Sequence, residues 1–175
     1  MRCICNRLFH LTSNSTEAEA PPLSSTVTVC LPLERGRGVF ITRQGAGSTE
    51  TAAAKSVCIA FTGSLYPQAL SAAQILESRG IKADLYNLRF LKPVDEDYLT
   101  DIMNQYELTI FVEEGSRAGG FGEFASGLAL RRNCSSGVLV LGVDEKFDAL
   151  GNREELLRRN GLDGESIANA VEKIY

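Results

Sequence analysis

Three short apolar runs, at 57–61, 83–88 and 108–112, are each followed by a turn and then a stretch with helical spacing. This alternation constrains the fold more than any other feature of the chain. Strands separated by helical stretches need crossover connections, and crossovers make a mostly parallel sheet with helices on its faces. A parallel strand covered on both sides shows no alternation of apolar and polar residues. The run Val57-Cys58-Ile59-Ala60-Phe61 has that character.

The remaining elements follow from local signals. Residues 39–43 read as a strand and 138–143 as the last one. After 57–61, Thr62-Gly63-Ser64 is a tight turn, with Ser64 expected to cap the next helix. Leu65, Ala69, Ala72, Ala73 and Leu76 form its buried stripe, Pro67 sits in its first turn, and Arg79-Gly80 ends it. Asp95 is expected to cap a helix reaching about Asn104, with Leu99, Ile102 and Met103 inward. A helix is predicted from Gly119 or Gly120, with Phe121, Phe124, Ala125, Leu128 and Ala129 on its apolar face. Two short helices are predicted at 153–159 and 165–174.

Ahead of this pattern, residues 1–26 carry no periodicity and read as a loosely held arm, followed by one domain over 27–175. Residues 27–33 form a short apolar run broken by Pro32, and 44–50 read as flexible by composition. Glu17 and Glu19 weaken a transit-peptide reading of the arm, and no signal-peptide core precedes them.

Composition excludes several classes of function. The net charge is −4 and no basic stripe occurs, which argues against a nucleic-acid partner. No apolar run approaches a membrane span. Five cysteines, Cys3, Cys5, Cys30, Cys58 and Cys134, are an odd and irregularly spaced set, so a disulfide framework is not expected. A reducing compartment fits: the cytoplasm, or a plastid in an organism that has one. Cys58, inside a strand, reads as a small buried hydrophobe. His10 is the single histidine and lies in the arm, so neither a zinc site nor a Ser-His-Asp or Cys-His arrangement can be built around the sheet. No P-loop is present. No catalytic, cofactor-binding or metal-ligating residue is assigned to this chain.

Two loops stand out. The first is Glu113-Glu114-Gly115-Ser116-Arg117-Ala118-Gly119-Gly120-Phe121-Gly122, where a parallel strand ends and a helix begins. Free N–H groups at such a place favour anions. The glycine spacing is not the dinucleotide fingerprint, and the acidic pair would repel a phosphate. Three readings stay open: a small-anion site, glycines that allow close helix–strand packing, or a protein contact. The second loop carries Arg89, Lys92, Pro93 and Asp95 after a strand end. A clamp for an acidic ligand competes there with a loop ion pair or interface contact. Arg35, Arg37 and Arg43 read as a solvated basic loop. Asp144, Glu145 and Asp148 make an acidic patch whose spacing does not demonstrate a metal site.

The order of these motifs resembles a known family. Residues 31–175 look like the C-terminal domain of 1-deoxy-D-xylulose-5-phosphate synthase, of the transketolase group. The landmarks are Leu31-Pro32-Leu33-Glu34 with Gly36-Arg37-Gly38, and Gly63 with the Ala-rich helix at 69–76. Then come Asp84, Arg89-Phe90-Leu91-Lys92-Pro93-Val94-Asp95, Val112-Glu113-Glu114-Gly115 with Gly119-Gly120-Phe121-Gly122, and Gly142, Asp144, Phe147 and Gly151. The tail Arg153-Glu154-Glu155-Leu156-Leu157 with Gly161-Leu162-Asp163 completes them.

The resemblance implies a three-layer α/β/α sandwich on a mixed five-stranded sheet whose first strand is antiparallel to the others. It implies an enzyme that joins pyruvate and glyceraldehyde 3-phosphate, with loss of carbon dioxide, for isoprenoid, thiamine and pyridoxal phosphate synthesis. That enzyme uses thiamine diphosphate and magnesium, held by first and middle domains that this chain lacks, and works as a homodimer. Under the resemblance Arg89, Lys92, Pro93, Asp95, Glu113, Glu114, Gly115, Gly119, Gly120 and Gly122 are structural or interface residues, and the chain alone is inactive. Residues 6–26 and 44–55 depart from the family pattern, which suggests a fragment or rearranged copy. The rivals are a free-standing nucleotide- or small-molecule-binding module using the loop at 115–122, and the corresponding domain of a 2-oxo-acid dehydrogenase beta subunit.

Overall fold

A computed structural model describes residues 39–42, 56–147 and 150–174. The arm at 1–26 with Cys3, Cys5 and His10, the run at 27–33, Cys30, the basic loop with Arg35, Arg37 and Arg43, the stretch at 44–50, and Asp148 lie outside these residues.

The described residues form one sheet in the order β1-β3-β2-β4-β5. Its strands are β1 (Val39–Thr42), β2 (Ser56–Phe61), β3 (Lys82–Asn87), β4 (Leu108–Ser116) and β5 (Gly137–Val143). β2, β3, β4 and β5 run parallel, and β1 pairs antiparallel with β3. The helices are α1 (Tyr66–Ser78), α2 (Glu96–Met103), α3 (Phe121–Arg131), α4 (Arg153–Arg159) and α5 (Gly164–Glu172).

Side chains alternate across each strand, so the two faces of the sheet bury different sets. Val57, Ile59 and Phe61 of β2 and Ile110 and Val112 of β4 pack with α1, α4 and α5. Cys58, Ala60, Tyr86 and Phe111 pack with α2 and α3 on the other face. This gives three layers. Each fully buried Ile, Leu or Phe contributes about 1.5–3 kcal/mol by leaving water, which explains why the buried parts of β2 and β4, 57–61 and 110–112, are apolar.

Side chains cap two of the helices. Asp95 Oδ1 accepts the Tyr98 N–H at 3.0 Å, as expected for α2. Asn152 Oδ1 accepts the Glu155 N–H at 2.9 Å at the start of α4. At α1 the expectation fails. Ser64 lies inside a 3-10 turn at Gly63–Leu65, and α1 starts without a side-chain cap. Phe124, on the expected apolar face, is only partly covered. It stands at the margin of α3, against Phe121 and 6.0 Å beneath the Arg131 guanidinium.

Among the described residues four polar side chains, Asp84, Thr109, Glu113 and Ser136, are buried with the apolar ones. Asp84 is 2% exposed, and Tyr106 Oη donates to its Oδ2 at 2.7 Å. Thr109 Oγ1 and Ser136 Oγ are 3.1 Å apart and share a hydrogen bond. A carboxylate within an apolar strand persists only where donors reach it.

Candidate functional site

The chain order places a switch point between β2 and β4. β3 lies on one side of β2 and β4 on the other, so the loops leaving the carboxyl ends of β2 and β4 diverge. In open parallel sheets the crevice outside such a point is the usual ligand site. The loop after β2 supplies Thr62, Gly63 and Ser64. The end of β4 supplies Glu113, Glu114, Gly115 and Ser116.

This crevice is occupied by the chain's own groups. Glu113 is 8% exposed. Its Oε2 accepts the Phe121 N–H and its Oε1 the Gly122 N–H, each at 3.0 Å. Those are two of the donors that a helix start leaves unpaired, and the carboxylate also complements the positive end of the helix. Glu123 reaches back from the first turn to accept the Gly119 N–H, in the manner of a capping box. The residue that a reading of the sequence sets beside a phosphate site therefore sits inside it.

The glycines are required by this arrangement. Gly119 has φ +73°, a left-handed conformation that side chains disfavour. A Cβ on Gly120 would lie 2.7 Å from Glu113 Cδ, and nearer still to Glu113 Oε1 and the Ser116 carbonyl. A Cβ on Gly122 would crowd Val140 and come within 3.3 Å of Glu113 Oε1. The close-packing reading of the loop at 115–122 fits this geometry. At the start of α3 the Phe121 and Gly122 amides that a small anion would use already donate to Glu113.

Glu114 faces the other way. Its Oε1 accepts from Arg153 Nε at 2.8 Å, and its Oε2 accepts from the Ser64 hydroxyl. Arg153 Nη2 also donates to the Ser64 carbonyl at 3.1 Å. The Arg153 hydrogen bond holds the Glu114 carboxyl below its usual range, against partial burial and with help from Ser64. The Arg153 guanidinium is correspondingly raised, chiefly by its bond to Glu114. One ion pair thus ties the loop after β2, the end of β4 and the start of α4. Beside it lies an open cleft of about 350 Å³, lined by Glu114, Arg153, Val143, Leu156, Leu157 and Leu162 among others.

The second loop is separate. Arg89, Lys92 and Pro93 are exposed on the connection after β3, and neither cation forms an ion pair among the described residues. Asp95 spends one carboxylate oxygen on the α2 cap. Asp144 pairs with Arg117 at 2.7 Å and lies 3.9 Å from Lys146. Among the described residues no three His, Cys, Asp or Glu side chains converge as metal ligands. No described helix is long and apolar enough to cross a membrane.

Sequence reasoning missed Arg153 and Ser64 as partners of Glu114. Ser64 and Glu114 are fifty residues apart, and Arg153 another 39 beyond Glu114, so no local pattern links them. Asp84 did carry a signal, since an acid inside an apolar strand announces a buried partner.

Comparison with known proteins follows the fold. Residues 47–167 match the family described as Transketolase, C-terminal domain. A 1-deoxy-D-xylulose-5-phosphate synthase of Treponema pallidum is 37% identical over 81% of this chain, covering 21% of its own length. The synthase of Chlorobium luteolum is 33% identical over 82% of this chain and 21% of its own. The chain therefore spans about a fifth of the length of these relatives. Among solved structures, one described as a split gene transketolase, inactive beta4 tetramer, superposes with a TM-score of 0.64 at 29% identity. It covers 82% of this chain and 42% of that one. A transketolase of Pichia stipitis shares the fold, with a TM-score of 0.52 at 21% identity over 79% of this chain and 18% of that one.

Proposed function

This chain belongs to the transketolase C-terminal domain family, and from that premise we propose that it is the C-terminal section of a 1-deoxy-D-xylulose-5-phosphate synthase. In this reading it is a scaffold for assembly and dimer support. The condensation of pyruvate with glyceraldehyde 3-phosphate, with loss of carbon dioxide, is carried out by polypeptide outside it. The fold shared with transketolases and the identity to several synthases support the assignment.

One observation carries the scaffold reading. At the switch point Glu113 is engaged by the α3 amides and Glu114 by Arg153 and Ser64. Residues engaged in this way do not fit a diphosphate or its magnesium. In this reading thiamine diphosphate and magnesium are held by the first and middle domains of the complete enzyme, as the family resemblance implies. The exposed turn of Arg89, Lys92 and Pro93 is assigned to contacts with those domains.

The test is an assay of the purified chain with thiamine diphosphate, magnesium, pyruvate and glyceraldehyde 3-phosphate. No 1-deoxy-D-xylulose 5-phosphate is expected. Steady turnover by the chain alone would overturn the reading.

A further inference from the structure

Of the chain's asparagines only Asn160 is followed by glycine, in Arg159-Asn160-Gly161-Leu162. In such a pair the backbone nitrogen of the glycine can attack the side-chain amide carbon, because no Cβ stands in its way and the glycine backbone turns freely. The fold opposes that attack in three ways. Asn160 Nδ2 donates to the Leu156 carbonyl at 2.9 Å, which holds the side chain back along α4. The Gly161 N–H donates to the Arg158 carbonyl at 3.1 Å, and the Leu162 N–H to the Leu157 carbonyl at 2.8 Å. Asn160 has ψ 5°, whereas closing a ring needs the Gly161 nitrogen swung about a third of a turn, to the Cβ side of the Cα–C bond. Solvent has access to the pair, since Asn160 lines both the cleft beside Arg153 and a second open cleft of about 340 Å³. Geometry alone therefore protects it.

We propose that Asn160-Gly161 is a modification site controlled by folding: it stays intact while the turn between α4 and α5 is closed, and deamidates once that turn opens. In the opened chain the Gly161 nitrogen gives up its proton to solvent base and bonds to Asn160 Cγ. The Cγ–Nδ2 bond breaks and the side-chain nitrogen leaves as ammonia, so a five-membered imide remains. Water opens that ring at either carbonyl, giving aspartate or the isomer whose main chain runs through Cβ and Cγ. Neither product suits the fold. Each lacks the donor to Leu156 and sets a negative charge at the carbonyl end of α4, where the helix dipole disfavours it. The isomer also lengthens the main chain between two amides that both bond to the last turn of α4, beside Leu162, which is 1% exposed. A lasting opening thus becomes irreversible. This inference does not depend on which enzyme the chain serves.

The test incubates the full chain at mildly alkaline pH, folded and in urea, and follows the tryptic peptide 160–173 by mass and by isoaspartate content. Fragmentation separates a change at Asn160 from one at Asn169, and isomerisation at Asp163 leaves the mass unaltered. Asn160 should be lost at least about tenfold more slowly from folded than from unfolded chain, since its own hydrogen bond and that of Gly161 must open first. In urea, where no fold is at stake, Gly161→Ala should slow the loss about tenfold by obstructing the nitrogen. Converted chain returned to buffer should show a lower urea midpoint than unconverted chain carried through the same steps. Equal rates in folded and unfolded chain would overturn the proposal. So would an unfolded chain that keeps Asn160, a Gly161→Ala variant that loses it as fast as the parent, or converted chain with an unchanged midpoint.

Discussion

The Glu113 carboxylate and the Gly122 amide lie nine residues apart and meet at 3.0 Å, with the other oxygen on Phe121 N–H. The last buried residue of β4 is thereby joined to the first turn of α3. Charge-assisted hydrogen bonds of this kind contribute about 1.5–3 kcal/mol. Glu113→Gln keeps the shape but sets an amide N–H₂ against one of the two donors. We expect a loss of about 1–3 kcal/mol in urea unfolding. A loss below about 0.5 kcal/mol, the range of an ordinary surface change, would mean that the contact is incidental.

Gly119 and Gly120 should respond differently to alanine. Gly119 has open space but a φ of +73°, so Gly119→Ala should cost about 1–2 kcal/mol through backbone strain. Gly120→Ala drives a methyl into the Ser116 carbonyl, which is backbone, and into the Glu113 carboxylate, a side-chain end already held by the Phe121 and Gly122 amides. It should cost about 3 kcal/mol or more, at the upper end of overpacking. Thermal unfolding of the two variants checks the order; the reverse order would contradict the packing described.

Glu114 makes stability depend on pH with a definite sign. Its folded pKa lies below its unfolded value, mainly because Arg153 hydrogen bonds to the carboxylate. The stabilisation is complete above the unfolded value of about 4.3 and is lost as pH falls through the lower folded value. Arg153→Met should therefore lower the urea midpoint at neutral pH, and the gap to the parent chain should close in acid. It should also narrow in high salt, since both partners are partly exposed. A gap that is independent of pH would contradict the assignment.

Burial, and next the Asp84 charge, hold the Cys58 thiol well above its usual range. The two residues are neighbours in the β2–β3 register. Only the thiolate reacts with alkylating reagents. Peptide mapping after alkylation at about pH 8 should find Cys58 modified only in unfolded protein. Equal labelling of folded and denatured chain would place Cys58 outside the core.

How far the sequence reaches can be judged at β4. Its apolar part, 108–112, was legible because buried parallel strands have no polar alternation. The strand nevertheless continues to Ser116 through Glu113, Glu114 and Gly115, which read as a loop. Acid and glycine signals describe what residues do in water, and Glu113 is not in water here. Its partners are amides reached only after α3 turns back on the sheet. Ser64 fails as a cap for a related reason: a hydroxyl at a helix start has a default local partner, and Glu114 arrives from fifty residues away to compete for it. Asp95 succeeds because both ends of its bond lie within three residues.

The account turns on whether this domain contributes to an activity that it does not itself contain. The most direct measurement adds the purified chain to a 1-deoxy-D-xylulose-5-phosphate synthase truncated before its last domain, with cofactors and both substrates, and follows product formation. We predict that the truncated enzyme gains turnover in proportion to added chain up to one equivalent, while the chain alone gives none. Unchanged turnover, in spite of a complex demonstrated by sedimentation, would contradict the account.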